Sequence, residues 1–126
     1  DPDNTFFSEV IIYSKELGIA GTIDVLVYNE KQDTYHLVDW KTNKRIDKTS
    51  YKNKVGILNA TAHLQDCNFN HYSLQLSFYR YILERYYGLN VGSQTLFHLK
   101  ENRYEIFPVN YHEEELINML REKELI

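Results

Sequence analysis

Cysteine is almost absent from this sequence: Cys67 stands alone. A single thiol excludes an internal disulfide, and it excludes any zinc or iron–sulfur cluster built from several cysteines of this chain. It fits a reducing compartment. No apolar run approaches the length of a membrane span and no signal peptide is visible, so no membrane partner is expected. Glycine-rich phosphate loops are missing as well. Neither GxGxxG nor GxxxxGK[ST] occurs, which removes support for a nucleotide-phosphate cradle. The five histidines, His36, His63, His71, His98 and His112, show no metal-ligand spacing. His36 alternates away from Asp39 and reads as a surface or packing residue.

What is present is one domain's worth of chain, 126 residues, expected to be a fragment of a longer protein because it starts at Asp1 rather than Met. Eleven Tyr, six Phe and one Trp supply either stacking surfaces or ordinary core. Fourteen basic against eighteen acidic residues give a formal charge of −4, which for the whole chain argues weakly against nucleic acid. The charge is segregated, however. Lys41, Lys44, Arg45, Lys48, Lys52 and Lys54 face only Asp47 across the stretch Trp40 to Lys54, whereas Glu113, Glu114, Glu115, Glu122 and Glu124 make the C-terminal end acidic.

Hydrophobic period places the elements. Phe6 to Tyr13, Gly21 to Asn29 and Thr34 to Lys41 read as strands, with turns between Gly18 and Gly21 and across Asn29 to Asp33. Short polar connections make an antiparallel meander the simplest arrangement. Thr42 to Lys54 reads as a basic loop, Val55 to Leu64 as a short helix, and Asp66 to Asn70 as a turn. Tyr72, Leu76, Tyr79, Leu83 and Tyr86 then fall on one helical stripe, stopped at Gly88. Val91 to Leu99 and Tyr104 to Val109 read as two more strands. Glu113 to Leu125 reads as an amphipathic helix with acids in its first turn, where the helix dipole favours them. The expected fold class is α/β or α+β, a sheet with helices packed on it.

Two strands carry residues that packing does not explain. Asp24 interrupts the second, and Asp39, Trp40 and Lys41 end the third. Asp39 and Lys41 are two apart, so they share a face with Leu37 and Tyr35, while Trp40 and Val38 point the other way. If the two strands pair, Asp24 comes close to Asp39. Two carboxylates with the Trp40 carbonyl between Asp39 and Lys41 form a partial shell of hard oxygen ligands, the kind Mg²⁺ takes while keeping water and phosphate, with Mn²⁺ as a substitute. A lysine on the same face can hold or deprotonate an attacking water. That combination suits hydrolysis of a phosphodiester. The competing reading of each residue alone is a solvated strand end or a turn residue. The basic stretch Lys44, Arg45, Lys48, Lys52 and Lys54 reads as phosphate-backbone contact or as a solvated loop, with Tyr51 available to stack on an unpaired base.

"GTID" (Gly21–Asp24), "VDWKT" (Val38–Thr42), "QLSFY" (Gln75–Tyr79) and "SE" (Ser8–Glu9), by their order and spacing along the chain, resemble the PD-(D/E)XK nuclease superfamily in its RecB-like exonuclease branch. The segment "LQDCNFNHYSLQLSFYRYILERYYGLNV" is similar to phage-type members. The resemblance spans about Glu9 to Tyr111. It implies a restriction-endonuclease-like core: a central mixed sheet, with an antiparallel meander, flanked by helices. It also implies Asp24, Asp39 and the Trp40 carbonyl as metal ligands, Glu9 as a further acid, Lys41 as the residue that positions or activates the water, and Gln75 with Tyr79 orienting the site and contacting DNA. The implied partners are DNA and a helicase or recombination protein, in the cytoplasm of a bacterial or phage-infected cell. Two departures stand out. Ile23 rather than Pro precedes Asp24, as is common in this branch. The family's core order is αβββαβ, and no helix precedes the first strand here. A non-catalytic DNA-binding or assembly module of the same fold is the alternative.

Overall fold

The structure, a computed structural model, describes residues 2–42 and 68–126. The expected helix from Val55 to Leu64 and the proposed DNA-contacting residues Lys44, Arg45, Lys48, Tyr51, Lys52 and Lys54 lie outside the described residues. Among the described residues seven elements follow one another: β1 (Asn4–Ser14), β2 (Ile19–Asn29), β3 (Thr34–Lys41), α1 (Asn68–Tyr86), β4 (Val91–Leu99), β5 (Tyr104–Pro108) and α2 (Glu113–Glu122). The five strands form one sheet in sequence order. β1, β2 and β3 make the expected antiparallel meander, β3 and β4 run parallel, and β4 and β5 are antiparallel. The parallel step falls where a crossover through α1 makes it possible.

The turns have visible causes. Between β1 and β2 the chain turns within Lys15 to Gly18. The Gly18 amide donates to the Ser14 carbonyl at 2.8 Å, and Gly18 takes a positive φ of 66° that a Cβ disfavours. Gly21 therefore does not bracket a turn, as the sequence suggested; it lies inside β2. Between β2 and β3, Asn29 Oδ1 accepts from the Gln32 amide at 2.9 Å, an Asx-type closure.

Helix α1 covers one face of the sheet. Leu76, Ile82 and Leu83 of α1 pack with Ile12, Ile23, Leu26, Leu37, Val91 and Leu96 in the main core, and Tyr72, Tyr79 and Tyr86 of the expected stripe pack against it. Asn68–Asn70, expected as turn, are helical. The ring of Phe69 packs 6.0 Å from that of Phe107 on β5, and Ser73 Oγ donates to the Phe69 carbonyl at 2.8 Å, so tertiary burial extends the helix toward its N-terminus. Gly88, at φ 68°, ends it as the sequence indicated. Helix α2 buries Leu116 and Leu120 against Leu17 and Tyr81, beside α1. It ends three residues before Leu125, where Glu124 turns left-handed at φ 57°.

The register also shows a fault line. Val10 pairs with Ile23 on the helix-covered side, yet Ser8 and Val25, two residues along each strand, line a groove on the opposite side. Residues two apart in a regular strand share a face, so both strands turn over at Glu9 and Asp24. Glu9 carries the kink with a φ of 52°, and the two residues face one another without joining the ladder. The β2–β3 ladder stops at the adjacent pair Val25 and Val38. Past that point β2 and β3 are no longer joined by strand hydrogen bonds.

Candidate active site

The end of the β2–β3 ladder is where the singled-out residues meet. Asp24 and Asp39 occupy the next register position beyond Val25 and Val38. The Trp40 amide, which has lost its place in that ladder, donates instead to Asp24 Oδ2 at 2.9 Å. A carboxylate thus completes the backbone pairing that β2 gave up. Asp39 is 5% exposed and Lys41 half-buried, both on the α1 side with fully buried Leu37. Lys41 Nζ meets Asp39 Oδ2 at 2.9 Å. Trp40 points away, edge-on to Phe97 with ring centroids 5.2 Å apart. The alternation expected along β3 is the one observed.

The two carboxyls titrate apart. Burial, then the hydrogen bond shared with Asp24, push the Asp39 carboxyl up to about 6 against the opposing pull of Lys41. Burial also acts to raise Asp24, but the hydrogen bond with Asp39, the Trp40 amide and the Lys41 charge outweigh it and leave Asp24 below its ordinary value. Two carboxylates this close favour sharing a proton, or a cation in its place.

The donor set fits a divalent cation in part. Asp39 Oδ2 is buried and, apart from its ion pair with Lys41, forms no hydrogen bond among the described residues. A buried carboxylate oxygen with spare acceptor capacity beside a second carboxylate is the chemistry Mg²⁺ or Mn²⁺ takes. Among the described residues, however, no group of three or more His, Cys, Asp or Glu side chains gathers in metal-holding geometry. Glu9 stands across from Asp24 but is exposed at its kink.

Helix α1 supplies the remaining wall. Gln75 Nε2 donates to the Tyr79 hydroxyl at 3.2 Å, as residues four apart on a helix can. The Tyr79 ring lies on Gly21: a Cβ built there would sit 2.4 Å from Tyr79 Cε1. The glycine and the tyrosine of two separate sequence motifs are therefore one contact. Tyr72, read from sequence only as part of the apolar stripe, has the Lys41 ammonium 4.2 Å from its ring centroid. Its spacing of three before Gln75 put it on the same helical face, a signal that the apolar pattern masked. His98, given no role by spacing, is 1% exposed and stands beside Lys41 in the β3–β4 register. His36, read as a surface or packing residue, is half-buried and held by Ser93 Oγ at 2.7 Å and Thr34 Oγ1 at 3.1 Å.

The model of the PD-(D/E)XK nuclease superfamily matches residues 3–124. The chain belongs to that superfamily. Among curated proteins none matches the chain. Among the described residues, the mixed five-stranded sheet with two helices is consistent with the restriction-endonuclease-like core of PD-(D/E)XK nucleases, and the matched span takes in every element from β1 to α2. Among the described residues no helix precedes β1, and no helix is long and apolar enough to cross a membrane.

Proposed function

We propose that this PD-(D/E)XK domain is a Mg²⁺-dependent deoxyribonuclease of the RecB-like exonuclease branch, acting in recombination, repair or phage DNA processing. The observation that carries this reading is the Asp39–Lys41 pair, held at 2.9 Å under α1 with Asp24 tied to the intervening Trp40 amide. Asp24, Asp39 and the Trp40 carbonyl are the residues that would hold the cation, with Glu9 as a further acid. When bound, the cation supplies Lewis-acid polarisation of the scissile phosphate and its water. The chain's own residues do the rest. Lys41 orients the attacking water and offsets charge that develops on the phosphate oxygens. Asp24 locks the turn of β3 through the Trp40 amide, so that Asp39 and Lys41 keep one direction. Gln75 and Tyr79 hold the wall of α1 against β2 at Gly21. Lys44, Arg45, Lys48, Lys52 and Lys54 follow β3 directly in sequence and are proposed phosphate-backbone contacts, with Tyr51 stacking on a base.

The test is cleavage of end-labelled linear DNA with Mg²⁺ or Mn²⁺ by the wild type, Asp39→Ala and Lys41→Ala. Loss of either group is expected to lower kcat by at least about a thousandfold. Full activity of Lys41→Ala sinks the mechanism. The pairing of only two acids among the described residues favours one second reading, a DNA-binding or assembly module without catalysis. Salt-sensitive DNA binding by a wild type that cleaves nothing with either metal selects that reading.

A further inference from the structure

From the contact between α1 and the end of β3 we infer that Tyr72 is a positioning residue for Lys41, an inference that rests on the nuclease reading above. Lysine is a compact charge on a flexible four-carbon stem, and one ion pair to Asp39 fixes only the direction of its tip. The Tyr72 ring adds a second anchor. The Lys41 ammonium lies 4.2 Å from the ring centroid while Nζ stays 2.9 Å from Asp39 Oδ2. The negative face of the ring attracts the cation most strongly where water is partly excluded, and only 19% of the Lys41 side chain is exposed.

The ring is itself held. Tyr72 is half-buried and packs against the main core. It stands three residues before Gln75 and seven before Tyr79, so all three occupy one face of α1. Along that face, Tyr79 rests on Gly21 of β2, three residues before Asp24, and Tyr72 meets Lys41 of β3. Helix α1 therefore touches both strands of the site beyond the point where their ladder ends. Tyr79 fixes the approach of β2, and Tyr72 fixes the ammonium at the end of β3.

A role as core filler predicts something different from a role through the ring's face, and two variants separate them. Tyr72→Phe keeps the face and loses the hydroxyl. Tyr72→Leu keeps apolar bulk and loses the face. Two readouts are needed on the 126-residue chain. In NMR spectra of metal-free protein, the Lys41 ε-methylene protons should be shifted upfield by the ring in wild type and Tyr72→Phe, and return toward random-coil values in Tyr72→Leu. In DNA cleavage with Mg²⁺, Tyr72→Leu should lower kcat roughly tenfold with KM for DNA within about twofold, and Tyr72→Phe should stay within about twofold of wild type on both. An upfield shift that persists in Tyr72→Leu overturns the contact. A lost shift with unchanged kcat, or a Tyr72→Phe variant as impaired as Tyr72→Leu, overturns the positioning role. A wild type that shows the shift and cleaves no DNA overturns the nuclease reading, and the kinetic role with it, while leaving the ring–ammonium contact standing.

Discussion

The two faces of the sheet do different work. On the α1 side, Leu37 and Leu96 are fully buried and the Leu37 row continues along β3 into Asp39 and Lys41. On the other side, Val25, Val27, Val38, Trp40 and Phe97 line an open groove of about 330 Å³, with Phe6 65% exposed at its lip. The covered face shields charge from water, and that is what pushes Asp39 up and gives the Lys41 pair its strength. The open face has apolar area, and among the described residues no titratable group lines its groove. The proposed chemistry would need the covered face because electrostatic effects there are larger, and the cost is the burial of charges that the core must hold in place.

The contrast can be broken first by core substitutions. Leu37→Ala removes a side chain with no exposure two residues before Asp39, and should destabilise the fold by about 2 to 5 kcal/mol. Val25→Ala on the open face, at a half-buried position, should cost about 1 kcal/mol, and Phe6→Ser less than about 0.5 kcal/mol. Urea unfolding of the three variants checks the order. Equal losses for Leu37→Ala and Val25→Ala contradict the picture of one packed face and one open one.

A smaller effect is expected at Gly21. An alanine Cβ there meets Tyr79 Cε1 at 2.4 Å, so the ring or β2 must move. The loss should be about 1 to 3 kcal/mol, as for other overpacking. Tyr79→Ser made together with Gly21→Ala removes the clash, so a double-mutant cycle should show coupling of about 1 kcal/mol or more. Additive losses break the link between β2 and α1.

Much of this was legible in the sequence because it depended on local period. Strand alternation put Asp39 and Lys41 on one face and Trp40 on the other, and the 3.6-residue period gave the stripe from Tyr72 to Tyr86. What escaped was long-range. Tyr72 reads as core because an aromatic at a core position has the same period whether or not a lysine sits on it. Gly21 reads as a turn because sequence carries no sign of a ring 58 residues away. The fold-over at Glu9 and Asp24 is invisible to alternation, since both strands turn together and keep their register. The start of α1 was misplaced for a similar reason: Asn68–Asn70 have turn-like composition, and only the packing of Phe69 on Phe107 makes them helical.

The last and smallest expected effect is on pH. Folded Asp39 titrates at about 6 against an ordinary 3.8. A carboxyl that holds its proton more tightly when folded stabilises the fold fully below its unfolded value, and that contribution is lost as pH rises through about 6. Asp24 has the opposite sign. Its lowered value gives stability that is present above the ordinary carboxylate range and is lost as pH falls through its own lower value. Between about pH 4 and 6 the Asp39 effect therefore dominates, and the melting temperature of metal-free protein should fall across that window. The loss is on the order of 1 kcal/mol once solvent screening is allowed for. Asp39→Asn should flatten the slope, since it removes the titrating group. Mn²⁺ should flatten it too, because cation and proton compete for the same oxygens. Phe6 lines the groove of the open face, far from the titrating pair, so Phe6→Ser must keep the slope. A melting temperature that rises steadily from pH 4 to 6 means that Lys41 outweighs burial at Asp39. The covered face would then act as a stabilising ion pair rather than as a strained site that a cation relieves.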